Sequence, residues 1–587
     1  MKFKFLNFKI FKVLFTIFSI FYFLNFSSAS ADVLNQAVQF SVNPEYEYLQ
    51  RSQISATLRK ISDKAYWYVS DGYWNSVSES EKNLFLPKLD ELASEFDNKI
   101  YPVETQFWGS EPKPGIDNDL RITILITRLI DQAGGYFETS HLYKKSEVSE
   151  SNEREMVFLN AGSIANGRAK IFLAHEFQHL IGFNQKDILL GASEDTWLNE
   201  IRAEYAPRLL GYDDVYENSN IRRRVFSFEQ NPSDPLAEWQ NLSSDYGAAA
   251  LFMSYLVDHY GEKIINDSQR IDKIGIESLN QILLSNGFTE SFSDIFSNWT
   301  IANVLNDETV SPPIARGLGP LGRFAYKFPS LKNLRIPSSQ SYSLSGTGDL
   351  VSILNTVKDW QPVWYEFDTP VNTGADLNLK IEFSAGPGTK FRIPYIAFKI
   401  NGQKEIDFLP LNDTVGKLFV KNFGSDVHKV VLIPANHSKT SNFTKNDPAS
   451  QFTLKVQMTS EFEETIQTPT PAPSVSVQAS IQNLLDQISV LQKQIAQLKK
   501  QVPSLPASPP APNVFSRDLF TGLQGEDVRW LQEFLISQDV YPEARITGYF
   551  GSLTRSAVVR FQQKHGIFPQ IGYVGAKTKN KIQELVP

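Results

Sequence analysis

Not one of the 587 residues is a cysteine. A chain of this length without disulfides must be held by its hydrophobic cores, with metal ions as the remaining staple, and an all-cysteine zinc site is excluded. The hydrophobic and aromatic fractions, 42% and 12%, are enough to fill real cores. The length is too great for one core and suggests about three or four domains. A formal net charge of -8 argues against nucleic acid as the main partner, because phosphate recognition needs a concentrated basic face. The triplet Arg222, Arg223, Arg224 reads as a solvated helix end.

The N-terminus carries Lys2, Lys4, Lys9 and Lys12, then the apolar run VLFTIFSIFYFLNF, then SSASA with Ala29 and Ala31 in a small-x-small arrangement. This reads as a secretory signal over residues 1–31. Its apolar run is short for a bilayer span of about twenty residues, so no stable membrane span is expected after cleavage.

Residues 32–315 read as an α+β unit, with the place of 32–95 in it open. ISATLRKISDKAYWYVSDGYW alternates like strands, SESEKNLFLPKLDELASEFDNKIYP has helical spacing behind a serine cap, and RITILITRL reads as a central strand. Segments 168–185, 196–211, 243–260 and 272–304 read as helices. From 316 to 462 short strands punctuated by Gly, Pro, Asn and Asp predict an antiparallel β-sandwich. His428 and His437 lie in its turns and suggest no metal role.

A linker spans 463–512, with the Pro-rich stretches TPTPAPS and VPSLPASPPAPN near its ends. Between them Val477, Ile481, Leu484, Ile488, Leu491, Ile495, Leu498 and Val502 repeat as a heptad seam over 477–502. Isoleucine at a and leucine at d favour a parallel two-stranded coil, so a homodimer and a lone spacer helix of roughly 39 Å both fit. Residues 513–587 contain three short helices, 525–537, 552–565 and 575–585.

The chemistry concentrates at residues 175 to 204. In HEFQH, His175 and His179 lie one turn apart on one helical face and can present imidazole nitrogens to a single ion. A catalytic zinc site needs a third protein ligand and leaves the fourth place to water. DTWLNEIRAEYA, with Asp195 or Thr196 as cap, offers Glu200 and Glu204, again a turn apart. Whichever of the two reaches the ion, the other is placed to hold a ligand histidine in the right tautomer. Glu176 points about 100° away, toward where a bound water would sit, as a general base. The set His, His, Glu suits zinc. Tyr246 and Tyr205 are candidate donors to an oxyanion. Asp117, Asn118 and Asp119 form an acidic turn of the kind that sometimes holds calcium, although a plain Asx turn explains them as well.

HEFQH followed by WLNEIRAEYA resembles the gluzincin zinc metallopeptidases, and the wider context DNDLRITILITRL, GGYF, SNEREMVFLNA and SSDYGAAALFMSYLVDHYG is similar to hyicolysin-like bacterial secreted peptidases, over roughly 95 to 305. That resemblance implies a zincin-like fold, His175, His179 and Glu200 as zinc ligands, Glu176 as catalytic acid/base and Glu204 behind a ligand histidine. The twenty residues between His179 and Glu200 (180–199) are two more than is usual there, and Ile201 stands where many members have Gly. LQGEDVRWLQEFL, TGYFGSLTRSAVVRFQQKHGI and GYVGAKT resemble the three-helix peptidoglycan-binding domain, with His565 as packing. Together these imply a secreted, wall-associated metalloendopeptidase acting on protein or peptide. A peptidoglycan stem-peptide hydrolase and a noncatalytic envelope scaffold are the other readings.

Overall fold

All six side chains of β4, Ile122–Thr127, are buried, which a strand achieves only when both faces of its sheet are covered. In the computed structural model β4 sits within a six-stranded sheet of order β1-β2-β3-β4-β6-β5. Its partners are β1 (Ala37–Ser41), β2 (Gln53–Ile61), β3 (Ala65–Ser70), β5 (Gly135–Phe137) and β6 (Met156–Asn160). The three inner strands β3, β4 and β6 pair in parallel, while β1, β2 and β5 join antiparallel. Alternation along β3 and β4 sends Trp67, Val69, Ile124 and Ile126 to a helical layer and Tyr66, Tyr68 and Leu125 to the opposite face, where Phe40 and Tyr136 cover them.

The structure describes residues 31–310, 326–331, 334–370, 377–461 and most of 517–586; within the last span, 521–522, 542–545, 551 and 568–571 lie outside the description. The signal at 1–31 falls, but for its last residue, outside the described residues, and so does the heptad seam of 477–502.

Helix α1 (Glu79–Glu95) opens with the serine cap expected, Ser78, reciprocated by Glu81 in a capping box. The helical layer continues with α2 (Ala169–Gly182), α3 (Thr196–Leu209), α4 (Asn220–Gln230) and α5 (Ser243–Tyr260). The helix expected over 272–304 is two, α6 (Gly275–Ser285) and α7 (Phe292–Leu305). Gly287 at φ 84° stops the first, and the Ser291–Asp294 capping box starts the second. SDGYW does not continue its strand either: from Asp71 the chain turns into a short helix.

Two five-stranded antiparallel-rich sheets follow. One centres on Asn378–Ala385 and Ser450–Thr459; the other on Pro394–Lys399 and Val427–Leu432. Their facing sides enclose one core containing Leu379, Phe383, Val430 and Val456. The outer side of the second sheet is not solvated. Trp360, Trp364, Ile396 and Val431 join the same buried cluster as Phe292, Phe296 and Trp299 of α7. The Trp364 indole donates to the Thr300 carbonyl at 3.1 Å, and His437 stacks on Trp360 at 4.3 Å while contacting the Ser293 hydroxyl at 2.6 Å. His437 is therefore a packing residue of this joint. Three helices, α8 (Glu526–Ser537), α9 (Ser552–Lys564) and α10 (Ala576–Leu585), make the last body around Leu531, Val558, Phe561 and Ile582. His565 lies against Phe561, ring centroids 4.6 Å apart.

Because Trp360 lies between sheet and helices, Trp360→Ala is expected to cost about 3–5 kcal/mol. Urea unfolding followed by circular dichroism checks this; a loss under about 1 kcal/mol would show that the sheet merely rests on α7.

Candidate metal centre

Helix α2 is apolar nearly all round, with Leu173, Ala174, Phe177, Leu180 and Ile181 fully buried. Such a helix carries polar groups only where something meets them. His175 and His179 project on one side, toward α3. There Glu200 Oε2 lies 3.2 Å from His175 Nε2 and 3.6 Å from His179 Nε2, and the two imidazole nitrogens are 3.2 Å apart. Four ligands bonded to zinc at about 2.05 Å in a tetrahedron stand about 3.3 Å from one another. The three atoms thus trace one face of such a tetrahedron. Among the described residues, this is the group whose donor atoms converge on one point.

Burial opposes ionisation of Glu200, yet His179 and His175 hold its carboxyl down at about 2. Burial would lower the His175 pKa, but Glu200 and Glu204 push it up to about 10. The Glu200 Oε2 is buried without a hydrogen bond of ordinary geometry. With both imidazoles deprotonated, the three atoms form a donor set that suits a divalent cation. The side chains of His175, His179 and Glu200 are 11%, 17% and 12% exposed, so the centre is mostly buried but open to solvent.

Glu204, one turn beyond Glu200, does not share the triangle. Its Oε1 lies 3.4 Å from His175 Nδ1, the far nitrogen of the ring. Its Oε2 accepts from Arg224 Nε at 2.8 Å and from Asn220 Nδ2 at 2.9 Å, and Arg224 Nη2 meets Oε1. Burial would lift the Glu204 pKa, but Arg224 and His175 hold it well below the usual carboxylate range. The arginine triplet is therefore not a solvated end of helix. Only Arg222 is exposed; Arg224 is spent inside on Glu204, and its guanidinium lies over the Tyr246 ring at 4.4 Å.

Glu176, the residue after His175, turns toward β5. A Cβ on Gly135 would stand 2.9 Å from Glu176 Cγ and 2.7 Å from the Phe158 carbonyl oxygen, so only glycine lets strand and carboxylate meet so closely. Burial raises the Glu176 pKa from its ordinary value, against the pull of both histidines. Tyr246 is half-buried, 6.5 Å from the His175 ring, with its hydroxyl donating to Asn241 Oδ1 at 2.9 Å. Tyr205 is elsewhere: its hydroxyl donates to Glu262 at 2.7 Å, on the side of α3 away from the centre. Tyr46 is a neighbour the sequence reading did not reach. Its pKa is raised by burial and then by Glu176 and Glu200, and its ring stacks on Tyr136 at 4.9 Å. Nothing in the sequence around it marks it, since a loop about ninety residues before β5 is brought over the site by the sheet alone.

Other expectations resolve differently. Asp195 precedes α3 as its cap residue, but its carboxylate makes no cap bond. It accepts instead from Asn442 and Phe443 backbone amides at 3.1 and 3.2 Å, tying α3 to the sandwich. Asp117 accepts from the Asp119 amide at 2.9 Å and Asp119 from the Tyr66 hydroxyl at 2.7 Å, an Asx turn using its own oxygens. No calcium group forms there among the described residues.

A cavity of about 410 Å³ opens beside the centre, lined by His179, Glu200 and Phe183, and also by Phe520, Arg555 and Tyr573 from the C-terminal helical body. The Arg555 guanidinium meets Asp187 at 3.1 Å with both side chains buried, and Tyr573 stacks on Tyr143 at 5.6 Å. Asp187 belongs to a π-helical turn, Phe183–Ile188, that prolongs α2 and takes up chain within the gap before Glu200.

Comparison with known proteins adds three findings. Residues 524–583 match the family model described as a putative peptidoglycan binding domain. Over 203 residues the chain is 29% identical to the neutral metalloprotease ShpI of Staphylococcus hyicus, a match covering 30% of this chain and 44% of that protein. The chain thus spans less than half the length of the curated relative it matches. Among solved structures, the pre-peptidase C-terminal domain of a Bacillus anthracis collagenase is similar at 9% identity and a TM-score of 0.14, covering 21% of this chain and 96% of that one. The Aeromonas hydrophila periplasmic inhibitor of g-type lysozyme, PliG, is similar at 6% identity and a TM-score of 0.14, covering 20% and 97%. Likenesses so faint carry no weight for the fold.

Zinc titration of the apo protein is expected to saturate at about one ion per chain and to fail in Glu200→Ala; Glu204→Gln should weaken binding about 10- to 100-fold. Competition with a chromogenic chelator reads both. Arg555→Ala is expected to speed amide exchange across 183–188, where its loss takes from buried Asp187 its salt-bridge partner.

Proposed function

We propose that the chain is a secreted, peptidoglycan-associated zinc metalloendopeptidase with a zincin-like catalytic unit of the gluzincin type. The observation that supports this best is the triangle of His175 Nε2, His179 Nε2 and Glu200 Oε2, with sides of 3.2, 3.2 and 3.6 Å, next to a buried glutamate. The match to a neutral metalloprotease agrees with it.

In this reading His175, His179 and Glu200 hold the ion, and Glu204 fixes the His175 ring through Nδ1. Bound there, zinc supplies a Lewis acid and lowers the pKa of water. Glu176 takes the proton from the attacking water and delivers it to the departing amine. Its burial suits that task, because a carboxyl with a raised pKa is a better base than an exposed one. Tyr246 would turn its single hydroxyl proton from Asn241 Oδ1 to the oxyanion as the peptide carbon becomes tetrahedral. β5 is the end strand of its sheet, so an extended peptide can pair with its free edge beside Glu176.

The match of 524–583 supports attachment to peptidoglycan, and the apolar N-terminal run supports export. Among the described residues no helix is long and apolar enough to cross a membrane. A stem-peptide hydrolase is the second reading, favoured by one observation. Phe520, Arg555 and Tyr573 of the wall-binding body line the same cavity as His179 and Glu200, so wall bound there would lie beside the catalytic groups.

Purified protein should degrade casein, and Glu176→Gln should lower kcat about 10²- to 10⁴-fold while keeping its zinc by metal analysis. Release of peptides from purified sacculi with casein untouched would move the assignment to the second reading. Unchanged turnover in Glu176→Gln would remove Glu176 from the mechanism.

A further inference from the structure

Counting back from Glu176 along α2, Phe172 lies one turn away and Arg168, at the cap position, two turns away, so all three share a face. Beside this stripe opens a second cavity of about 530 Å³, lined by Gly134, Asn160 and Phe172 and bordered by Arg128, Arg168 and Arg223. Gly134 directly precedes Gly135, the residue that abuts Glu176. A Cβ on Gly134 would stand 2.3 Å from the Phe172 ring, so strand and helix close tightly there. The cavity therefore begins one residue along the edge strand from Glu176, and one turn, about 5.4 Å, along the helix.

Its charges are unbalanced. Arg168 and Arg223 both lie over the Phe172 ring, at 5.3 and 5.7 Å. Arg223 gives one hydrogen bond, from Nη2 to Asn220 Oδ1 at 2.7 Å, and its Nε is buried without an acceptor. Arg128 is exposed and stacks on Tyr48 at 3.7 Å. Asp131, also exposed, is the one acidic residue of the lining. Among the described residues neither Arg168 nor Arg223 is ion-paired with a carboxylate. The buried Glu204 carboxylate is bonded to neighbouring Arg224 instead. Burial first, then the charge of Arg224, pushes the Arg223 pKa down to about 10, the response of a cation short of anions. Two half-buried guanidinium groups flanking one aromatic floor form a fork matched to a carboxylate.

We propose that this cavity is the subsite for a carboxylate-bearing side chain next to the scissile bond, so that the enzyme cuts beside Asp or Glu, with Arg168 and Arg223 holding the carboxylate. This rests on the peptidase reading above. β5 pairs antiparallel with β6 on one side and has its other edge free. A substrate strand that continues this antiparallel order runs from Phe137 toward Gly134. The acidic residue therefore follows the broken bond.

The test is digestion of a peptide library by the full-length zinc-loaded protein, with the new termini identified by mass spectrometry. New N-termini beginning with Asp or Glu should be enriched at least about tenfold over neutral residues. In matched peptides, Arg223→Gln and Arg168→Gln should each lower the acidic-to-neutral ratio of kcat/KM by about 10- to 100-fold, the worth of a hydrogen bond to a charged group. No acidic enrichment, or an unchanged ratio in both variants, overturns the subsite; enrichment before the broken bond overturns the strand direction. Fluorescence anisotropy of an acidic peptide and its Gln counterpart on zinc-loaded Glu176→Gln protein separates the two layers of inference. A wild-type protein that cuts nothing, although its variant binds the acidic peptide about tenfold tighter, overturns the peptidase reading and keeps the subsite. Equal binding of the two peptides overturns the subsite.

Discussion

One buried carboxylate holds the arrangement together. Glu204 joins α3 to α2 through His175 Nδ1, and to α4 through Arg224 and Asn220. An ionised group in that interior is tolerable only because each oxygen is met by a charged or polar partner. Satisfying it fixes the rotation of α3 about its axis. That rotation brings Glu200, one turn earlier, into line with both imidazole rings. Arg224, drawn inward by Glu204, leaves its neighbour Arg223 on the rim of the second cavity.

The sheet and the sandwich act on the same helices from either side. Gly134 and Gly135 let the edge strand close on Phe172 and Glu176 without a Cβ between them, which sets the width of the groove. On the far side, Asp195 at the start of α3 reaches the Asn442 and Phe443 amides, and Trp360 and Trp364 pack against α7. Among its described residues the sandwich brings together no group of metal-ligating side chains. It instead anchors the beginning of the helix that bears Glu200 and Glu204, and so belongs to the support of the centre.

The C-terminal helical body, matched over 524–583 by the peptidoglycan-binding family model, meets the N-terminal α+β unit at the π-helical turn that prolongs α2. The Arg555–Asp187 pair and the Tyr143–Tyr573 stack seat Phe520 and Tyr573 at the edge of the cavity that also holds His179 and Glu200. The two cavities open at different points along α2, one by His179 and the other by Phe172. One is shared with the C-terminal helical body; the other is bordered by guanidinium groups.

Spacing made part of this legible in the sequence. His175 and His179 at i and i+4, the second pair Glu200 and Glu204, the Ser78 cap and the strand Ile122–Thr127 follow from periodicity, because local backbone geometry alone sets which residues share a face. Caps and breaks were harder. The Asn286–Gly287 stop inside 272–304 was overridden by a continuous apolar pattern, and Asp195 left its capping place for backbone amides some 250 positions away in sequence, at 442 and 443. The choice between Glu200 and Glu204, the inward turn of Arg224, the exclusion of Tyr205 and the approach of Tyr46 belong to the tertiary structure. So does the basic cavity. Periodicity fixes the face of a residue within its own element, whereas partners and charge balance depend on how elements rotate against one another, and that is decided when cores pack and buried charges find their counterparts.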